Sequence, residues 1–276
     1  MSVQEYNPNV LEKLSSEPKY FWKRFLIFLV ILALVIWGAS GSNFSGLTEK
    51  GIKVAKAIVN GIIHPETMLL FNLTSKGIPM LLLETISIAF LGTLFGALLA
   101  IPFAFLSATN IVPRWVSLIF RSITMLIRTI PALVWALIWI RVTGPGAFCG
   151  VVTQSICSIG MVSKMYITAI ENLDTGVLAA LDACGCNTLE KIRVGVIPQL
   201  SASFISTAIY RFDINLKDAT ILGIVGAGGI GFPLTDAIAN ARWNRVGAFV
   251  ICLVALVIVI EWISTKIRAR LARGRS

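Results

Sequence analysis

Three glycines in "ILGIVGAGGIGF", residues 221–232, stand in the spacing G-x-G-x-x-G at Gly226, Gly228 and Gly231, with Gly229 between them. Glycines so spaced can turn a chain tightly enough for successive backbone N–H groups to surround a phosphate at a helix N-terminus. A second chemistry is offered by charged residues set in apolar sequence: Arg128, then Arg211, Asp213, Lys217 and Asp218. An arginine held in such a setting is a fixed, forked donor of the kind that phosphorus oxyanions bind. Metal binding is less well served. Cys149, Cys157, Cys184, Cys186 and Cys252 form no C-x-x-C pair, and the single histidine, His64, is far from all of them. A zinc site takes about four ligands at recognisable spacing. Cys184 and Cys186 therefore read as small, half-buried residues.

The glycine run does not sit where a nucleotide would need it. A dinucleotide fold alternates strands with helices and places an acid about twenty positions after the glycines. Here the glycines follow an apolar stretch, Pro233 stands where the phosphate-binding helix would begin, and residues 246–251 hold no acid. No G-x-x-x-x-G-K-[ST] string occurs in the chain. Gly226, Gly228, Gly229 and Gly231 are therefore expected to serve close backbone packing, or a bend, at the outer end of a membrane helix.

The elements that must hold these residues are apolar. Of 276 residues, 56% are hydrophobic and 14% charged, with a mean hydropathy of +0.83, against roughly 25% charged in a soluble domain. Most of the chain is thus expected to lie in lipid. The net charge of +10 sits mainly at the ends and in connecting loops, as the positive-inside rule requires, and not in the footprint of a nucleic-acid binder. No cleavable signal peptide is evident, because the apolar run after Lys23 and Arg24 is long and no A-x-A site follows it cleanly.

Residues 1–20 are a polar tail containing Pro8 and Pro18. Residues 21–77 are expected to hold a first transmembrane helix, "FWKRFLIFLVILALVIWGAS", bracketed by Trp22 and Trp37, and then an external amphipathic segment. In that segment Lys50, Lys53, Lys56 and Asn60 recur at helical spacing, which suits a membrane surface and ordinary packing equally well. A second span covers residues 78–108, where Gly92 and Gly96 make a small-xxx-small face. A third runs from about Val116 to Val142. A fourth, from about Ala147 to Tyr166, carries Gln154 with several Ser and Cys residues and should face protein. The stretch from Ile170 to Gly195, with Glu171, Asp174, Asp182, Glu190, Lys191 and Arg193, must lie in water. A fifth span opens at Pro198, and a sixth leads into a basic tail at residues 269–276. About six spans put both termini on one side. Lys13, Lys19, Lys23, Arg24, Lys266, Arg268, Arg270, Arg273 and Arg275, with loop residues Arg114, Lys191 and Arg193, make that side the cytoplasmic one. The other side holds Lys50, Lys53, Lys56, Lys76, Arg242 and Arg245.

The water-exposed stretch "LAALDACGCNTLEKIRVGVIPQL" reads as a short helix, a break at Gly185, a second polar helix containing Asn187, and Pro198 at a membrane-helix start. It resembles the coupling loop of ABC-importer permeases, whose pattern is E-A-A-x-x-x-G, nine residues, then I-x-L-P. Gly185 and Pro198 have the family separation, Ala180 matches the first alanine, and Asp182 lies in the variable stretch. Ala179 stands in place of the glutamate, Leu181 in place of the second alanine, and Gly195-Val196-Ile197 in place of I-x-L. "RTIP" (Arg128 to Pro131), "YRFDINLKDATILGIVGAGGIG" (Tyr210 to Gly231) and "VIPQL" extend the likeness to phosphonate-type permeases of bacterial uptake systems. The resemblance implies an all-α integral membrane protein with a type I ABC importer permease core over residues 78–268 and a fold like that of methionine permeases. It implies a homodimer in the bacterial inner membrane, served by cytoplasmic ATPase subunits that bind ATP and Mg and by an extracytoplasmic solute-binding protein. The chain itself would then need no cofactor and would not be an enzyme.

Within that frame Arg128, Arg211, Asp213 and Lys217 are candidates for the substrate pathway, because a charge at mid-bilayer costs about 2.5–3.5 kcal/mol and must face protein or water. Asp213 and Lys217 are four apart and can pair on one helix face. The alternative is that these charges only neutralise one another and lock helices together. Arg114, Arg121 and Arg128 recur every seven residues and share a face. Other readings are a permease of the same machinery for another small solute such as methionine, an ion-coupled carrier acting alone, and an integral-membrane enzyme. No inverted repeat favours the carrier, and no catalytic constellation favours the enzyme.

Overall fold

A computed structural model of the protein describes residues 20–41, 49–74, 77–173 and 175–273. The polar stretch with Pro8 and Pro18, Lys76, Asp174 and the final residues from 274 lie outside the described residues. Every regular element among the described residues is helical.

The chain divides into two units, residues 1–55 and 56–276. The first holds helix α1 (Phe21–Ser40). Between Arg24 and Ser40 it has no charged side chain. Twenty residues at about 1.5 Å each reach the ~30 Å of a bilayer core. Helix α2 (Glu49–Ile63) begins in this unit and ends in the second. It is the expected amphipathic helix, with Lys50, Lys53 and Lys56 exposed.

The second unit continues with α3 (Thr67–Leu70), α4 (Ile78–Ser107), α5 (Arg114–Thr129), α6 (Ala132–Thr143), α7 (Ala147–Glu171), α8 (Thr175–Ala183) and α9 (Thr188–Glu190). A π-helical turn, Lys191–Val196, leads into α10 (Ile197–Ile224), and α11 (Gly231–Ala239) and α12 (Trp243–Arg273) close the chain. The wide turn falls where Pro198 offers no N–H to the carbonyl four residues earlier.

The core is the pairing of α4 with α7, with α10 laid against both. Gly92 and Gly96 permit it: a Cβ on Gly92 would lie 2.5 Å from the Cβ of Gln154, and one on Gly96 would collide with Ser158. As expected from its composition, α7 faces protein, burying Thr153, Gln154, Ser158 and Ser163. One apolar cluster, with Ala97, Ala104, Tyr166, Ile170 and Leu200, packs toward the α7–α10 loop. Another, with Ile78, Leu81, Ile230, Val246 and Phe249, packs at the opposite, glycine-loop end.

The third span differs from expectation. In place of one helix over Val116–Val142, α5 and α6 meet at 87°. Pro131 lacks the N–H that would continue the helix, and Ile130 before it is extended (φ −87°, ψ 121°). The Ile127 carbonyl, which the N–H at position 131 would have satisfied, accepts the indole Nε1–H of Trp135 at 3.4 Å instead. Among the described residues, five helices are long and apolar enough to cross a membrane, or six if the bent pair counts as one span.

Candidate functional site

The polar centre forms where two stripes of helical spacing meet. Arg211, Asn215 and Asp218 share a face of α10, as Gln154, Ser158 and Met161 share a face of α7. Asn215 donates through Nδ2 to the hydroxyls of Ser158 and Thr93, each at 2.8 Å. Gln154 Nε2 donates to the Asn215 carbonyl at 2.7 Å. Asn215 and Gln154 are fully buried, so these bonds fix the register of α4, α7 and α10 around one point. Ser158 lies eleven residues into α7, about 16 Å along its axis and roughly midway between its ends.

Arg211 is 6% exposed at this centre. Its Nε donates to Ser158 Oγ at 3.1 Å. Its two terminal nitrogens are served poorly: Nη1 faces the Met161 thioether at 3.1 Å, and Nη2 is 4.0 Å from Asp218 Oδ2, beyond hydrogen-bond range. A buried guanidinium is normally held by close, bidentate acceptors. This one keeps donor capacity for an oxyanion, and the side chain of Asp218 beside it is 33% exposed.

The other charges divide into two groups. The expected pairing of Asp213 with Lys217 is replaced, because α12 passes along that face of α10 and gives each an opposite charge. Asp213 Oδ2 is 3.4 Å from Arg268 Nη2, and Lys217 Nζ is 3.3 Å from Glu261 Oε2. These residues brace α10 against α12 and do not converge on Arg211. Arg128 is exposed, in the last turn of α5. Its stem crosses Gly160 of α7, where a Cβ would lie 2.7 Å from Arg128 Cγ. Arg128 and Arg211 thus meet α7 within residues 158–161. Arg121 pairs with Glu171 and donates to the Ser107 carbonyl at 2.9 Å, closing the loop end of α5 onto α4 and α7. Lys164, on α7 just beyond Met161, is exposed as well. Reading the sequence by charge clusters misses it. The signal that finds it is a lone lysine in "SIGMVSKMYI".

The glycine loop has a different partner. Gly226, Gly228 and Gly229 have φ of 97°, 84° and 73°, a left-handed conformation that other residues rarely adopt. A Cβ on Gly228 would lie 2.7 Å from the backbone of Ala147. The loop's N–H groups point into the protein: Gly229 donates to Glu84 Oε1 at 3.1 Å and Ile230 to Thr85 Oγ1 at 3.0 Å. Gly231 opens α11 in backbone contact with Gly223. Pro233 sits in the first turn of α11, where a missing N–H does no harm. The loop does hold an oxyanion, the carboxylate of its own α4.

The loop between α7 and α10 is stabilised locally. Gly185 (φ 75°) ends α8 with its N–H on the Asp182 carbonyl (2.9 Å) and the Cys186 N–H on that of Leu181 (3.1 Å), the bond pair of a left-handed helix stop. Asn187 then starts α9 with a reciprocal cap: its Oδ1 accepts from Glu190 N (2.9 Å), and Glu190 Oε2 accepts from Asn187 N (2.7 Å). An Asp182–Lys191 ion pair ties the two arms. Leu181 packs on Gly195, where a Cβ would lie 2.5 Å from Leu181 Cδ1. The two departures from the family pattern are therefore complementary in volume. Ala180, Asp182, Gly185, Asn187, Leu189 and Pro198 are exposed.

The family described as "Binding-protein-dependent transport system inner membrane component" matches residues 92–273. The chain is 36% identical over 192 residues to "Phosphate-import permease protein PhnE" of Mycolicibacterium smegmatis, an alignment spanning 69% of this chain and 36% of that protein. It is 33% identical over 186 residues to "Putative phosphite transport system permease protein HtxC" of Stutzerimonas stutzeri, spanning 67% of this chain and 66% of the relative. The chain thus spans little over a third of the first relative and just under two thirds of the second. A solved structure titled "Inward facing conformations of the MetNI methionine ABC transporter" aligns with a TM-score of 0.59 at 18% identity, over 82% of this chain and 99% of the other. At that identity the likeness concerns the fold.

Proposed function

We propose, from the premise that the chain belongs to the family of binding-protein-dependent transport system inner membrane components, that it is the permease subunit of an ATP-driven importer for phosphonate or a related phosphorus oxyanion, phosphite or phosphate. The observation that carries the oxyanion reading is Arg211, a guanidinium midway along its helix partners whose terminal nitrogens lack close oxygen acceptors among the described residues. The relatives' names, phosphate import and phosphite transport, support the same class of cargo.

In this reading Arg128 and Arg211 lie on the anion route, while Asp213 and Lys217 hold α12 in place beside it. Residues 78–268 are the permease core, residues 21–77 an added helix with an external segment, and residues 1–20 and 269–276 cytoplasmic tails. Two copies form a homodimer. The exposed helix–turn–helix over Ala180, Asp182, Gly185 and Asn187, leading to Pro198, faces the cytoplasm and docks on an ATPase, which holds ATP and Mg. A solute-binding protein delivers cargo on the glycine-loop side, where Gly226, Gly228, Gly229 and Gly231 pack the outer ends of α4, α7 and α10.

The test is uptake into vesicles carrying the complex of permease, ATPase and binding protein, with phosphonate, phosphite, phosphate and methionine as competitors. Competition by the phosphorus compounds alone is expected. Competition by methionine alone, or uptake without the ATPase, overturns the reading. A Gly185→Trp variant tests the docking. Nothing lies within 4 Å of the position a Cβ would take there, but φ 75° strains any side chain, so the variant is scored in complexes that assemble with the ATPase bound. ATP hydrolysis without uptake is expected, and normal uptake rejects the docking.

A further inference from the structure

The exposed stripe of α7 is not accounted for by packing within the chain. Cys157 and Met161 are half-buried, and Lys164, Met165 and Thr168 are exposed. Their spacing of four, three, one and three residues keeps all five on one face of the helix. Beside this stripe α10 presents Asp218, half-buried, and Ile221, exposed. The face is therefore mixed: an acidic and a basic side chain, a thiol, two thioethers and a hydroxyl stand among few aliphatic groups. The membrane-facing helix α1, by contrast, has only aliphatic and aromatic side chains through its centre. The Lys164 ammonium has no hydrogen-bond or ion-pair partner among the described residues, although it lies seven residues, about 10 Å, inside the loop end of α7. An unpaired lysine at that depth faces a protein interior or a water-filled space and not lipid. Arg128 packs on the buried Gly160 at the edge of the stripe, and Arg211 reaches it through Met161.

We propose that this α7–α10 face is the aqueous wall of the route and that Lys164 is a second cationic station for the oxyanion, one helical turn nearer the α7–α10 loop than Arg211. The inference rests on the permease reading and adds a position and a residue to it. Arg211 lies at mid-depth with Asp218 as its internal counter-charge. An anion released there meets Lys164 next on its way to the loop side, and among the described residues no carboxylate pairs with Lys164 to compete with it. A free lysine also suits a station that must let its ligand go, because a single flexible ammonium holds an oxyanion less rigidly than a bidentate guanidinium does.

Cys157 is a built-in probe of this wall. In the assembled complex, with Cys149, Cys184, Cys186 and Cys252 replaced by serine, Cys157 is treated with an anionic sulfonatoethyl or a cationic trimethylammonioethyl methanethiosulfonate. Both reagents are expected to react, the anionic one about tenfold faster once normalised to a free thiol. Lys164→Gln is expected to reduce that preference two- to fivefold, and to lower maximal uptake about tenfold with the complex intact. If the serine replacements prevent assembly, the same ratio is read in the native sequence by mass-spectrometric quantification of Cys157 alone. Failure of both charged reagents, while membrane-permeant N-ethylmaleimide still reacts, overturns the aqueous wall. An anionic preference unchanged in Lys164→Gln removes Lys164 as a station. The labelling does not depend on the cargo, so a permease for another solute would fail the competition test and still show a reactive Cys157.

Discussion

The glycine loop and the arginine centre both present donors to an anion, and they differ in where the anion comes from. In the loop, left-handed glycines turn the Gly229 N–H onto the Glu84 carboxylate, with Thr85 serving its neighbour. Each donor is satisfied by a residue 145 positions away in the same chain. At the centre, Arg211 has a hydroxyl at Nε, a thioether at Nη1 and a carboxylate 4.0 Å from Nη2. The first arrangement is complete without a ligand and acts as a clasp between α4 and the end of α10. The second, among the described residues, leaves donors on the terminal nitrogens without a close oxygen acceptor. Donor geometry alone therefore does not mark a binding site. What matters is whether the chain already fills it.

Three substitutions set this contrast against measurement. Gly228→Val combines a left-handed backbone with a collision against Ala147. It is expected to cost at least ~3 kcal/mol, seen as loss of assembled complex or a sharply lowered melting temperature in detergent. A stable, active variant would break the claim that the loop is seated on α7. Arg211→Gln is expected to lower uptake about 100-fold, equivalent to ~2.7 kcal/mol in the rate, with thermal stability unchanged or raised, because a poorly paired buried charge is removed. A fall in stability with uptake per folded complex preserved would make Arg211 a clasp like the other. Glu84→Ala leaves the Gly229 N–H without its acceptor and is expected to cost ~1–2 kcal/mol of stability, with the pattern of competing solutes unchanged. Altered cargo selectivity in that variant would move the glycine loop from structure into the route.

Much of the scaffold was legible because its signals are local. The uninterrupted run after Arg24, the Gly92–Gly96 pair and the polar content of α7 each follow from a few neighbouring residues, as do the Gly185 break and Pro198. The bend at Pro131 was less so. Hydropathy over Val116–Val142 does not register a proline, although "RTIP" holds the signal that Ile130 must leave the helix. The partners of Asp213 and Lys217 could not be read locally, since Arg268 and Glu261 lie on a helix more than forty residues further on and only the packing of α12 brings them near. The same holds for Leu181 and Gly195. Taken singly, each is a departure from the coupling-loop pattern; packed together, the larger side chain fills the space the smaller one leaves. Lys164 was legible in principle, as a charge with no residue of opposite sign within a turn of it, but it stands apart from the charge cluster that drew attention to α10.

Helix α10 runs without a break for 28 residues, from Ile197 beside the exposed loop to Ile224 beside the glycine clasp, a rod of about 42 Å. Because Gly229 and Ile230, five and six residues past its last residue, are held by Glu84 and Thr85, the rod is tethered at its far end to the start of α4, and in the proposed permease a push near Pro198 would pivot it about that tether.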